Sequence, residues 1–199
     1  MREGLKSAAH LVATALVLPA LVSYAVRRRI LGADRALEGS TQALSLVPGL
    51  AGCYLRRAFL VQVLAHCDRT ATVEFGTILS KADARLGANV YVGPRCHLGL
   101  VHVERDVLIG AAVQVPSGPS THGIADLDRP IREQPGTRAV VRLGEGAWIG
   151  SAAVVLADVG RHAVVGAGAV VTAPVPDYAV AVGVPARVVR DRRAVAAQA

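Results

Sequence analysis

One histidine stands apart by its setting. Between Val115 and Val141 runs a polar stretch, SGPSTHGIADLDRPIREQPGTRAV, that carries His122. A loop of about twenty residues in a compact domain is usually functional or disordered. An imidazole with a reference pKa near 6.5 is mostly neutral at pH 7 and can take the proton of a hydroxyl. A base of that kind typically contributes about 10²- to 10⁴-fold. The alternative for a lone loop histidine is a surface hydrogen-bonder. Asp126 and Asp128, in the same loop, are candidates for recognising an acceptor, against the plainer reading of exposed loop carboxylates. His97 and His102 are five apart. Cys53, Cys67 and Cys96 are isolated, with no CxxC spacing, so neither a disulfide framework nor a zinc site is indicated and reduced thiols are expected.

The elements around the loop follow a six-residue register. Aliphatic residues fall at Leu86, Val92 and Leu98, and after one slip at Val103, Ile109 and Val115. Gly follows directly at Gly87, Gly93, Gly99 and Gly110. Four positions after each aliphatic comes a small or β-branched residue: Val90, Cys96, Val107, Val113. The register resumes at Leu143, Ile149, Val165 and Val171, with Ala147, Ala153, Ala169 and Val175 at the small positions. A period of six fits neither an α-helix nor a hairpin. It fits a coil of three short strands around a triangular core, with successive coils about 4.8 Å apart. Gly beside the aliphatic is expected at the sharp turn between faces, where positive φ is cheap. Cys96 then fills core, and Trp148, next to Ile149, must point outward.

The first third reads differently. Leu11 to Val26 is uncharged and apolar, about 16 residues or roughly 24 Å as a helix, against a hydrocarbon core of about 30 Å. Pro19 favours a kink. A re-entrant or interfacial membrane anchor therefore competes with a span, a buried helix and a cleaved signal peptide. Arg27, Arg28 and Arg29 directly afterwards fit a cytoplasmic boundary better than an exported N-terminus. A second helical segment, Leu44 to Leu64, breaks at Pro48-Gly49. It sets Leu50, Tyr54, Ala58 and Val61 on one face, with Arg56 and Arg57 off it, as an interfacial helix would. The competing reading packs this helix across the end of the coils, which a solenoid requires.

Composition supports the same division. Apolar residues make up 52% of the 199-residue chain while aromatics are only 4%, which suits a narrow β structure better than a conventional core. The net charge of +7 gathers after the apolar stretch and at Arg187, Arg190, Arg192 and Arg193, which points to lipid headgroups and a phosphorylated ligand. No stacking aromatics interleave with these cations, which argues against nucleic acid.

The stretches VYVGPRCHLG, SGPSTHGIADLDRPIREQPG and LGEGAWIGSAAVVLADVGRHAVVGAGAVVTAPVPDYAVAVGVPARVVR resemble the hexapeptide-repeat acyltransferases. The resemblance covers roughly the last 130 residues. It is nearest to membrane-associated sugar O-acetyltransferases of polysaccharide biosynthesis. It implies an all-β solenoid, a left-handed parallel β-helix, with an N-terminal helical, membrane-associated segment. It implies His122 as general base in direct transfer of an acetyl group from acetyl-CoA to a saccharide hydroxyl, without an acyl-enzyme. It places Trp148 beside the pantetheine arm and the acceptor pocket, and Ser151 as a hydrogen-bond partner of that arm. Ala167, Gly168 and Thr172 correspond to places where the backbone passes close to coenzyme A, and Arg187 and Arg190 to arginines near its phosphates. The alternative for Trp148 is an apolar patch between subunits, and for the arginines a solvated basic tail. The chain departs from the common pattern at LADVGRH, where relatives read an extra pair of residues, so the coil at Asp158 to His162 is tightened.

The expected organisation is a helical anchoring and capping segment over residues 1–70 and a β-helix over 71–188 with an extended loop at 119–141. A tail over 189–199 follows, Ala-rich after Arg193 and expected to fray. A homotrimer is expected, because the family builds its sites between subunits, held at the cytoplasmic face of the cell membrane and otherwise cytoplasmic. The acceptor is a polysaccharide or lipid-linked glycan precursor. Three competitors remain: acetylation of a small xenobiotic or antibiotic, a non-catalytic β-helix binding protein, and a γ-type carbonic anhydrase-like metalloenzyme. The last would need zinc at His97 and His102, yet a third ligand at that family's spacing is missing, so no metal is expected.

Overall fold

The computed structural model describes residues 2–196. Four helices lead: α1 (Arg2–Leu16), α2 (Leu18–Leu31), α3 (Ala33–Ser45) and α4 (Gly49–Val63). A left-handed parallel β-helix follows, whose coils place one short strand on each of three faces. On the first face the register runs His66, Arg85, His102, Arg142 outward and Cys67, Leu86, Val103, Leu143 inward. On the second it runs Thr72, Tyr91, Leu108, Trp148, Val164, Val180 outward, over Val73, Val92, Ile109, Ile149, Val165 and Ala181. The third carries Leu79, Leu98, Val115, Val155 and Val171 inward. All the inward residues are buried, as are the small residues two before them from Ala71 onward, Cys96 among them. Burying each Val, Leu or Ile contributes about 1.5–3 kcal/mol, so the register is also the energy of the core.

The glycines do something other than the sequence suggests. The positive-φ corner falls three residues after each inward Val, Leu or Ile of the first and second faces, at Gly76, Asn89, Arg95, Asp106, Ala112, Gly146, Ala152, His162, Gly168 and Tyr178. Gly93, Gly110 and Gly150, directly after their aliphatics, are instead sites of close approach between stacked coils. A Cβ on Gly150 would sit 2.5 Å from the Ala167 nitrogen, and one on Gly93 would sit 2.7 Å from the Gly110 carbonyl carbon. Coil spacing, not turn geometry, excludes a side chain there. The tightening at Asp158 to His162 is present and occurs twice. Val159 pairs with Leu143, and Val175 with Val159, on the first face. Each lies only four positions after the preceding inward residue, Val155 or Val171. Val175 is therefore an inward first-face residue and not a corner-filling one.

The helices close the open end of the stack. α3 and α4 lie on the first coil. The Thr41 hydroxyl donates to the Leu79 carbonyl (3.0 Å) and accepts from the Leu79 N–H (3.3 Å), and the Ser45 carbonyl accepts from the Gly76 N–H (2.9 Å). Asp34 accepts from the Ala82 N–H (3.1 Å) and from Lys81 Nζ (3.0 Å). Edge groups that would template aggregation are thereby satisfied. Arg56, expected on an exposed face, is only 2% exposed. Its Nε donates to the Val73 carbonyl (2.8 Å) and its terminal nitrogen to Leu44 (3.2 Å) and Val47 (2.7 Å), at the C-terminal end of α3. The buried residues of α4 are Gly52, Cys53, Arg56, Ala58, Phe59 and Leu60; of the apolar face expected from the sequence, Ala58 is buried, Tyr54 and Val61 are half-buried and Leu50 is exposed. The capping role thus decides which side of α4 is buried. The break at Pro48-Gly49 is where expected, Pro48 preceding the first turn of α4. The break near Pro19 falls at Val17, between two helices inclined by 46°.

At the other end, Ala179–Val182 pairs antiparallel with Arg187–Asp191 and covers the last coil. A short helix, α5 (Arg192–Ala196), follows, and residues 197–199 of the Ala-rich tail lie outside the described residues.

Candidate active site

The loop that interrupts the register leaves the corner between the third and first faces, after Val115, and returns at Val141. Buried Ser117 roots it, its hydroxyl accepting from the Leu100 N–H (3.0 Å). The two arms then run side by side, with Ala139 N–H donating to the Ser117 carbonyl (2.9 Å) and Thr137 N–H to the Ser120 carbonyl (2.7 Å). Gly123 lies so near the return arm that a Cβ would meet the Pro135 carbonyl oxygen at 2.6 Å. Gln134, 7% exposed, ties the tip: its Oε1 accepts from the Asp126 N–H (3.1 Å), and its Nε2 donates to the Asp126 (2.6 Å) and Arg129 (2.9 Å) carbonyls. The long excursion is therefore an ordered ribbon presenting His122 to solvent. Nothing in the sequence marked Gln134, because an amide side chain in a polar loop carries no pattern.

Of the two loop carboxylates, Asp126 is engaged within the ribbon. Its Oδ1 accepts from the Asp128 N–H (3.1 Å), and its Oδ2 lies 3.8 Å from Arg129 Nε. Asp128 is exposed.

Trp148 stands outward at the centre of the second face, half exposed. It lines a groove of about 400 Å³ with Asp106, Leu108, Val164, Val180, Arg190 and Arg192. Trp148 and Arg190, far apart in sequence, are thus brought together, whereas Arg187 lies outside this lining and donates to its own neighbour's carbonyl at Ala186 (2.9 Å). Ser151, Ala167 and Gly168 share the next corner, between the second and third faces, and Thr172 lies one corner further on. All four are exposed, and a Cβ on Gly168 would meet nothing within 4 Å. A strip of backbone with little side-chain cover therefore runs beside the Trp148 face. Val180 belongs to the groove without having been singled out by the sequence, and Arg192, marked there only as part of a basic run, joins it; the antiparallel pairing of Ala179–Val182 with Arg187–Asp191 sets them there.

In a triangular prism, the corner that emits the His122 loop is opposite the face that carries Trp148. The core lies between them, and His122 is absent from the groove lining.

The two histidines considered for metal lie on different faces, His97 on the third and His102 on the first, so they do not converge. Burial, Arg85 and Arg142 lower the His102 pKa. Among the described residues no group of three His, Cys, Asp or Glu side chains could hold a metal ion. The three thiols are buried, and burial pushes Cys67 up to about 12, so it stays protonated and unreactive.

A stacked six-residue register with a face groove and an inserted histidine loop defines the fold, and comparison with known proteins finds the same repeat in part of this chain. Residues 140–173 match the model described as the hexapeptide repeat of succinyl-transferase. Over 145 residues, 61% of this chain, it is 31% identical to a probable acetyltransferase of Mycobacterium tuberculosis. The match spans 48% of that protein, about half its length. Among solved structures, a maltose O-acetyltransferase from Clostridium difficile 630 superposes with a TM-score of 0.69 at 22% identity, covering 79% of this chain and 86% of that one. A galactoside acetyltransferase in complex with coenzyme A superposes with a TM-score of 0.66 at 23% identity, covering 80% of each chain. At these identities the structural likeness establishes the fold.

Proposed function

We propose that this protein is an O-acetyltransferase that moves the acetyl group of acetyl-CoA to a saccharide hydroxyl, with His122 as general base. The observation that carries the proposal is that the register is interrupted by an ordered ribbon displaying an imidazole. The stack also bears, on its second face, a Trp–Arg groove of a size suited to an extended ligand. The identity to an acetyltransferase and the likeness to enzymes named for maltose and galactoside support the donor and the acceptor class.

Coenzyme A combines a long flexible arm, a flat base and phosphates. Trp148 offers that arm an apolar surface, Arg190 a cation for phosphate, and Ser151, Ala167 and Gly168 a strip where the backbone can be approached, with Thr172 exposed one corner further on. Arg187 adds positive charge nearby. His122, as neutral imidazole, takes the proton of the acceptor hydroxyl while the oxygen attacks the thioester carbonyl carbon. The tetrahedral adduct collapses with cleavage of the C–S bond, and the imidazolium returns its proton to the departing thiolate. Asp126 shapes the ribbon that presents the base, and Asp128 is placed to meet acceptor hydroxyls. Because the loop and Trp148 lie on opposite sides of one prism, the complete site forms between copies of the chain, which fits a homotrimer. The acceptor is a polysaccharide or lipid-linked precursor met at the cytoplasmic face of the cell membrane, a reading supported by the uncharged stretch from Ser7 to Val26 ahead of the coils.

The test is thiol release from acetyl-CoA in the presence of saccharide acceptors. His122→Ala is expected to lower kcat by about 10²- to 10⁴-fold with the fold intact. Equal rates for the variant and the parent would remove His122 from the mechanism.

A further inference from the structure

From Ser7 to Val26 the chain has no charged residue, and both helices built from it are apolar on more than one side. Their inner side is occupied. Ala13, Val17 and Tyr24 are buried, Tyr24 meets Phe59 edge-on at 5.9 Å, and Arg27 donates to the Ser40 hydroxyl at 2.7 Å. α1 lies along α4, and α2 along α3. Their outer side is not covered. Leu11, Val12 and Leu16 on α1, and Leu18, Val22, Val26 and Ile30 on α2, are each more than half exposed. At 100° per residue, the exposed apolar residues fill an arc of about 140° on α1 and about 120° on α2. A surface helix would carry charge on such an arc. At its C-terminal end the arc of α2 runs into Arg29, with Arg28 and Arg35 also exposed beside it.

We infer that this outer side is a docking surface for a bilayer rich in anionic lipids, with α1 and α2 lying in the plane of the interface and not crossing it. The inference deepens the membrane reading above by fixing its mode. Neither helix is long and apolar enough to span, and the bent pair is held lengthwise against the cap that closes the first coil. Threading the pair through a bilayer would strip Tyr24 and Val17 from that cap. Lying flat keeps those contacts and buries Leu11, Val12, Leu16, Leu18, Val22 and Val26 among acyl chains. Arg29 and Arg28 then reach phosphate from the headgroup level, their alkyl stems on apolar surface. Charge selects this occupant over a second copy of the chain. A two-fold contact through the same arc would set the arginine borders of both copies against each other, whereas an anionic surface complements them.

The full chain is mixed with preformed vesicles of phosphatidylcholine with 30% phosphatidylglycerol (roughly the anionic content at which such surfaces attract basic segments), and with pure phosphatidylcholine, then floated on a density gradient. The chain is expected to float with the anionic vesicles. Loss of Arg28 and Arg29 to Gln should weaken binding by about fivefold for each arginine. Val22→Asp with Val26→Asp should weaken it by more than about tenfold, and Val22→Trp should strengthen it. All these positions are exposed, and thermal melts matching the parent check that the variants fold. Protease should remove tags at both chain ends from the same side of the vesicle. Three outcomes overturn the inference: no flotation of the parent, unchanged flotation of the double aspartate variant, or protection of the N-terminal tag inside the vesicle. A change of oligomeric state in Val22→Asp/Val26→Asp without a change in flotation also overturns it, in favour of a second copy. Flotation does not read acetyl transfer, so its result stands apart from that of the His122 assay.

Discussion

Replacing Arg56 by Met isolates what the cap contributes. The methionine keeps the length and apolar bulk of the stem and deletes the guanidinium. Three carbonyls then lose a donor: Val73 on the first coil, and Leu44 and Val47 where α3 ends. Each buried carbonyl left unpaired costs about 1–3 kcal/mol, and a hydrogen bond from a charged donor contributes about 1.5–3 kcal/mol. Leu44, at 3.2 Å, makes the longest of the three bonds. Relief from burying a cation offsets part of the loss, since removing a buried charge and its partners together is often close to neutral. Here the partners stay, so a net loss of about 3 kcal/mol is expected. For a chain of this size that corresponds to a fall in melting temperature of about 6–12 °C. The measurement is thermal denaturation followed at the helical band in far-ultraviolet circular dichroism. The control is Arg35→Ala, an exposed α3 substitution expected to change stability by less than about 0.5 kcal/mol. A melting temperature for Arg56→Met within 2 °C (about 0.5 kcal/mol) of the parent would refute the idea that Arg56 ties α3 and α4 to the coils.

The two glycine-related positions in one coil should respond in opposite directions. Gly150→Ala sets a methyl into the backbone of the next coil and should destabilise by about 1–3 kcal/mol. Ala152→Gly, at φ 59°, relieves left-handed strain and should be neutral or stabilising by up to about 1 kcal/mol, both read by chemical denaturation. His102 predicts a pH dependence. Its folded pKa is lowered by burial, Arg85 and Arg142, so below the unfolded value near 6.5 the unfolded chain binds the proton first. Stability should therefore fall as pH drops from about 7 toward 5, and His102→Gln should flatten that slope in denaturation curves taken across the range.

How much was legible in advance depended on whether a feature repeats. The inward residues of the coils recur at fixed spacing and could be named one by one, because each must fill the same narrow interior. The glycines recur too, but identity alone does not separate a residue needed for positive φ from one needed for close approach. The coil corners settle it, where Asn89, Arg95 and Tyr178 tolerate the left-handed region that Gly150 does not use. Val175 was misassigned because a four-residue corner shifts the phase while leaving the hydrophobic pattern nearly unchanged. Arg56 was misread because hydropathy places an arginine outward, and only the carbonyls converging from α3 and the first coil make an interior position favourable. Of the candidate site, His122 and Trp148 were legible through their settings, one in a break of the register and the other outward on it. The partnership of Trp148 with Arg190 and Arg192 was not legible, because it depends on an antiparallel return that no repeat announces.

The separation of His122 from Trp148 across the prism leads to a prediction about mixed assemblies. A single chain holds the loop at the corner opposite its own groove, so under the proposed reaction a site in a trimer would borrow one of the two from a neighbour. Take His122→Ala and Trp148→Ala chains, each impaired as a pure protein, unfold them together in equal amounts and refold them as mixed trimers. A site is intact when the chain giving the loop carries the Trp148 substitution and the chain giving the groove carries the His122 substitution. Random assortment makes that true of about one site in four in a cyclic assembly. Thiol release should then recover to roughly a quarter of the parent rate, well above either pure variant. Were the site complete within one chain, no assortment could place both residues together, and the mixture would show only the average of the two impaired rates. The outcome rests on where the coils put two side chains, and it tests the geometry apart from the identity of the acceptor.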